Sequence, residues 1–188
     1  MITNFSFSET ECNLMVLNFA SNLISHISNQ ELMVEFALET IADFSKAERT
    51  ALFSYNDKTD MFNLEGVFNE GRFLRQPASL SLKGCCLEEL FEGTSCIKSE
   101  RYQSSCQAVF RPIWGECPGN CFLMPVVSTK NRCMGVVIFY LGIDREMPFE
   151  NMQYLRQFVT VLAIAMENSR LFDLAVLDGL TKLFARRY

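Results

Sequence analysis

The residues of this chain with the most chemistry to offer are eight cysteines, one histidine and an arginine set among aromatics. The cysteines are Cys12, Cys85, Cys86, Cys96, Cys106, Cys117, Cys121 and Cys133. In "ECPGNC" a Pro-Gly turn separates Cys117 from Cys121, and thiolates brought together this way can hold zinc or an iron–sulfur cluster. The spacing is C-x3-C rather than C-x2-C, there is no second tight pair, and adjacent cysteines such as Cys85 and Cys86 rarely chelate one ion. A metal or thiol-redox site at Cys117 and Cys121 is therefore the alternative, and small buried packing residues are the plain reading. His26 lies in a helical stretch with no nucleophile and acid around it, so no catalytic set can be built on it. Phe110, Arg111, Ile113 and Trp114 are of another kind: flat faces for stacking a ring, and a guanidinium fork for an anion.

Composition narrows the class. The chain has 188 residues, 49% of them apolar and 21% charged, which suits one soluble domain with an appendage. A net charge of -5 argues against a nucleic-acid surface. The longest strongly apolar run, Met134 to Ile143, is about half of what a membrane helix needs, so no membrane partner is expected. The first residues carry no positive n-region or apolar h-region, so the expected location is the cytoplasm, with reduced thiols rather than a disulfide framework.

These groups need elements to position them. In residues 9–28, Leu17, Ala20, Ile24 and Ile27 fall at steps of three and four, which predicts an amphipathic helix with those four on one stripe. Ser28 and Asn29 offer a break and a cap for a second helix ending near Ala47, with Leu32, Phe36, Ile41 and Phe44 near one face. The period then changes. "RTALFSYN", "MFNLEGVFN" and "RFLRQPASLSL" read as three strands of a meander, joined through "DKTD" and "EG". A short helix is expected between Gly84 and Gly93, and residues 94–120 read as a long irregular functional loop. "CFLMPVVS" and "CMGVVIFYLG" form a hairpin across "TKNR". A long helix follows from about Asp144 to Asp178, with Pro148 near its start. On it Leu155, Phe158, Leu162, Ala165, Ser169, Phe172 and Val176 step 3-4-3-4-3-4, a heptad seam. Its first half is expected to pack on the sheet. From Ser169 onward it is expected to leave the domain and need a partner. The fold class this predicts is α+β: one antiparallel sheet, helices packed on one side, and a long C-terminal helix.

Two stretches resemble known families. "DGLTKLFARRY" resembles the opening signature of GGDEF domains, D-x-L-T-G-L-x-N-R-R, through Asp178, Leu180, Thr181, Leu183, Arg186 and Arg187, with Lys182 and Ala185 replacing the usual Gly and Asn. Residues 10–172 resemble a GAF domain in the order of elements and in the helix ending A-I-A-x-E-N-x-R-L, matched by Ala163, Ile164, Ala165, Glu167, Asn168, Arg170 and Leu171. The resemblance implies a GAF sensor over 1–172, and over 173–188 a linker and the truncated start of a diguanylate cyclase, which makes cyclic di-GMP from GTP with magnesium. The cyclase's glycine-rich loop and metal-binding acids are absent here, so these residues are expected to regulate an enzyme rather than to be one.

In a GAF domain the ligand lies between the sheet and its cover, which here would be Gly84 to Asn120. The resemblance thus implies a pocket in which Cys96, Tyr102, Phe110, Arg111, Ile113 and Trp114 face Phe53, Tyr55 and Phe122. Those residues suit a planar anion, and a cyclic nucleotide such as cAMP is the first ligand to expect, although the N-K-x-F-D-E motif of some cyclic-nucleotide-binding GAF domains is missing. A covalent bilin is disfavoured, because the usual Cys-His neighbourhood is absent. The other reading is a ligand-free dimerisation scaffold. Cyclases of this kind bring two halves together, so a parallel homodimer is expected through the seam and the Leu17-Ala20-Ile24-Ile27 stripe, with the long helix as a stiff lever.

Overall fold

A computed structural model describes residues 8–81, 83, 87–92, 97–98, 103–115, 120–142 and 145–176. Helix α1 (Glu9–Ser25) starts where Ser8 and Glu11 form a reciprocal capping box, and α2 (Gln30–Ser45) starts at Asn29, whose side chain accepts from the Leu32 amide at 3.2 Å. Strands β1 (Arg49–Asn56) and β2 (Met61–Asn69) follow. Glu70 and Gly71 then turn the chain with φ of 51° and 76°. Two successive positive φ values make a type I′ hairpin turn, which glycine adopts without strain.

The expected third strand is split. Strands β3 (Arg72–Leu74) and β4 (Ser79–Ser81) both pair with β2, and Pro77 lies between them. Proline cannot donate to the ladder, so pairing lapses there. Helix α3 (Leu87–Glu92), strand β5 (Ile97–Lys98) and helix α4 (Gln103–Trp114) come next. The stretch expected to be irregular therefore contains a three-turn helix, which Pro112 in its last turn had disguised. Strands β6 (Cys121–Val127) and β7 (Cys133–Tyr140) form the expected hairpin, and α5 (Phe149–Val176) closes the described chain. Among the described residues no helix is long and apolar enough to cross a membrane.

The sheet is antiparallel throughout, in the order β3-β2-β1-β7-β6-β5. At its centre β1 and β7 approach so closely that a Cβ on Gly135 would lie 2.1 Å from the Phe53 carbonyl oxygen. Both faces of the sheet are covered, which is why Thr50 to Phe53 are buried in succession instead of alternating with solvent. One face packs Leu52, Met124, Val126, Val137 and Phe139 against α2 and α5. The other packs Ala51, Phe53, Val136, Ile138 and Tyr140 against α3 and α4. The helices α1, α2 and α5 thus share one side, and the short cover helices take the other.

Three expectations about the helices change. Helix α1 buries Cys12, Phe19 and Leu23, while Leu17 and Ile24 of the expected stripe are 66% and 64% exposed. In α2 the buried face includes Met33, Val34, Ala37, Leu38 and Ile41, and Leu32 lies outside it. The first half of the α5 seam packs inside the domain as expected, Leu155, Phe158, Leu162 and Ala165 being core, with Phe158 4.9 Å from Phe19 and 5.0 Å from Phe44. Ser169, however, has not left the domain. It is buried, and its hydroxyl donates to the Ile27 carbonyl at 2.8 Å. With Phe19 beside Phe158 and Ile27 beside Ser169, α1 and α5 run in the same direction. Val176 is also buried, whereas Phe172, Leu171 and Leu174 reach solvent.

Candidate functional site

The strand period decides which side chains meet the cover. In β1, Arg49, Ala51, Phe53 and Tyr55 share one parity, and Ala51 and Phe53 belong to the cluster beneath α3 and α4. In β7 the matching residues are Val136, Ile138 and Tyr140, and in β6 they are Cys121 and Leu123. Arg49 stands opposite both Asn69 and Tyr140 in register. Asn69 shares the parity of Val67, a member of the same cluster. Arg49, Asn69 and Tyr140 therefore form one row across the cover face at an end of the sheet.

Helix α4 brings the remaining groups. Its Phe110 is fully buried and stacks on Trp114, ring centroids 5.5 Å apart at 18°. Trp114 also lies 6.5 Å from the Tyr140 ring, and the Arg49 guanidinium carbon sits 5.8 Å from that ring's centre. This last contact is a cation over an aromatic face, and the guanidinium makes no ion pair among the described residues, so its N–H groups suit an anion. Two buried polar atoms here have no hydrogen-bond partner among the described residues: the indole Nε1 of Trp114 and the amide Oδ1 of Asn69. An unpaired buried donor or acceptor costs about 1–3 kcal/mol, so each gains on meeting a complementary atom. Together the groups offer a cation, a donor, an acceptor and two aromatic rings, of which Tyr140 is buried beneath Arg49 and Trp114 is stacked on Phe110.

Of the residues expected to line a pocket, Phe53, Phe110, Ile113 and Trp114 lie on this face together. Tyr55 lies there too, 5.1 Å from Phe62, with its hydroxyl donating to Asp60 at 2.8 Å. That bond to a carboxylate is the main reason its phenol titrates above the usual range. Arg111 does not belong to the buried row; it is on the exposed side of α4, one residue out of phase with Phe110. Phe122 is on the opposite face, stacked on Phe139 at 5.4 Å among the α2 and α5 residues, because it alternates with Cys121 and Leu123. Cys96 and Tyr102 lie outside the described residues. Arg49, Asn69 and Tyr140 were missed, yet the alternation of "RTALFSYN" already placed Arg49 on the side of Phe53.

The cysteines offer less. Cys12 and Cys121 are buried in apolar surroundings, and Cys133 is half-buried with its thiol 3.5 Å from the Gly135 carbonyl. Burial pushes the Cys12 and Cys133 thiols up, away from the reactive thiolate. Cys121 and Cys133 sit at opposite ends of the β6–β7 hairpin. Among the described residues no group of three or more His, Cys, Asp or Glu could hold a metal. Cys117 lies outside them, as do Asp178, Leu180, Thr181, Arg186 and Arg187. His26 ends α1 with its ring 6.4 Å from Phe36, remote from the cover.

No protein-family profile matches the sequence. No characterised protein matches it either. Solved structures do match. Residues 122 to 287 of a methyl-accepting chemotaxis protein superpose with a TM-score of 0.68 at 14% identity, over 82% of this chain and 98% of that one. The GAF domain of an Acinetobacter phosphoenolpyruvate-protein phosphotransferase gives 0.67 at 13%, over 88% and 97%. The GAF domain of a two-component sensor histidine kinase from Bacillus halodurans gives 0.56 at 14%, over 74% and 97%. The fold is that of a GAF domain: an α+β unit with an antiparallel sheet and a long C-terminal helix.

Proposed function

We propose that this GAF-fold unit, residues 1–172, is a regulatory module that binds a small planar anion on the cover face, with a cyclic nucleotide such as cAMP as the first candidate. The observation that carries the reading is the Arg49–Tyr140–Trp114 cluster with its unpaired indole N–H. A cyclic phosphate suits the Arg49 guanidinium. An aromatic base suits the Tyr140 and Trp114 faces. Its ring nitrogen and exocyclic amine complement the Trp114 donor and the Asn69 acceptor. Residues 173–188 are read as the linker and first residues of a cyclase unit, which would itself need GTP and magnesium to make cyclic di-GMP.

The test is calorimetry against cyclic nucleotides with wild type and Arg49→Ala. Loss of one charge-assisted contact should weaken binding by about 1.5–3 kcal/mol, and Arg111→Ala should change it little. Equal affinity in wild type and Arg49→Ala, or absence of binding, refutes the assignment. A second reading, a ligand-free dimerisation scaffold, is favoured by the filling of the cover face, where Phe53 and Phe110 are both wholly buried. In either reading the module works as a homodimer. The second copy would cover the apolar side chains that α1 and α5 leave in solvent: Leu14, Leu17 and Ile24 on one, Ile164, Leu171 and Leu174 on the other.

A further inference from the structure

The helical side of the sheet carries a cleft of about 320 Å³ that the cover-face reading does not use. It opens between the β1–β2 turn, the start of α2 and the last turns of α5. Met33, Met134 and Met166 supply its apolar surface, and unbranched thioether side chains adapt to varied apolar shapes. Its volume lies at the small end of the range for small-molecule sites.

The charges on the rim sort into two kinds. Asp57 is engaged: Arg132 holds it at 2.5 Å and Arg170 lies 3.9 Å away. Lys58 and Asp173 also line the cleft, and neither has an ion pair among the described residues. One cation and one anion thus stay available beside an apolar floor. Lys58 complements a carboxylate, Asp173 an ammonium, and the methionines an apolar side chain. The four lining charges, Asp57, Lys58, Arg170 and Asp173, cancel, so a ligand of zero net charge leaves no charge uncompensated.

We propose that this cleft binds a zwitterion of the amino-acid or dipeptide class with an apolar side chain. Met166, Ser169, Arg170 and Asp173 all line it, spaced three, one and three apart along α5. They form one face of its final turns. A bound zwitterion would therefore stabilise this placement of the end of α5, and with it the direction in which the chain leaves the domain. Tyr55, at the end of β1, borders both the cleft and the cover face, but Arg49, Tyr140 and Trp114 do not line the cleft, so the outcome at one does not decide the other.

The experiment is a methyl-NMR titration of the chain labelled at the methionine methyls, with L-methionine, L-phenylalanine and the dipeptide Leu-Leu. N-acetyl-L-phenylalanine and phenethylamine are controls, each lacking one charge. The expected result is saturable movement of the Met33, Met134 and Met166 methyls with at least one zwitterion, and weaker binding of both controls. Lys58→Ala and Asp173→Ala should each weaken that binding about two- to fivefold, the worth of one exposed ion pair, with unchanged melting temperature. No saturation by about 20 mM, above the affinity expected for so small a ligand, overturns the proposal. So do controls that bind as well as the zwitterions, or shifts confined to other methionines.

Discussion

Replacing Ser169 by alanine should remove one hydrogen bond between α5 and the turn that follows α1, and little else. The hydroxyl donates to the Ile27 carbonyl at 2.8 Å from a buried position, joining residues 142 apart in sequence. Such a bond contributes about 0.5–1.5 kcal/mol net, and up to about 3 if the Ile27 oxygen is left without a partner. Alanine returns about 0.5 kcal/mol through its better helix propensity. The expected loss is therefore about 0–1 kcal/mol, rising to about 2.5 kcal/mol if the Ile27 oxygen is left without a partner. Thr160→Ala on the same helix is the control, because among the described residues the Thr160 hydroxyl bonds only to its own helix, at the Arg156 carbonyl, and it is exposed. It should be neutral or slightly stabilising. Ser169→Leu should cost more than Ser169→Ala, since a larger side chain must force its way in where the Ile27 carbonyl now sits. Urea unfolding of the variants checks this, with the midpoint and slope read separately. If Ser169→Ala and Thr160→Ala shift the midpoint alike, α5 is not tied to the α1–α2 turn at this point and the argument fails.

Gly135→Ala should destabilise the fold by about 1–3 kcal/mol or prevent folding, because the new methyl meets the Phe53 carbonyl and backbone cannot yield as a side chain does; a thermal melt unchanged from wild type would contradict the close β1–β7 approach. Leu171→Glu combined with Leu17→Glu should convert a dimer to a folded monomer by light scattering, whereas Leu162→Glu, placed in the core, should unfold the domain; a wild-type chain that is monomeric at tens of micromolar removes the dimer. Cys133 should alkylate more slowly than free cysteine at pH 8, because a thiol pushed up by burial holds less thiolate there, and its rate should still be rising at pH values where free cysteine has levelled off. Peptide mapping after timed iodoacetamide treatment reads this directly, and a rate equal to that of free cysteine would show the site to be open.

What sequence alone determined was local. Asn29 caps α2 because its side chain reaches an amide three residues on, and Glu70-Gly71 turns because two positive φ values need little beyond those residues. Strand and helix periods were equally legible, and so was the order of elements outside the cover segment, where β5 and α4 were read as loop. Strand parity also carried Phe53 and Tyr55, and with them Arg49, to one side. Phase and partner were not local. In α1 the steps Leu17-Ala20-Ile24-Ile27 and Cys12-Phe19-Leu23 fit the same period, and only the position of Phe158 on α5 selects the second. The seam of α5 looked like a coiled-coil stripe, because a helix packed on its own core and one packed on a second chain need the same apolar spacing. Phe122 carries no sign of which face is the cover; that depends on α4, whose Pro112 hid it from the helical pattern. The row of Arg49, Asn69 and Tyr140 joins β1, β2 and β7, and only cross-strand register sets side chains that distant in sequence next to one another. Period is set by the backbone within a few residues, whereas the face that is buried is set by what the rest of the chain brings against it.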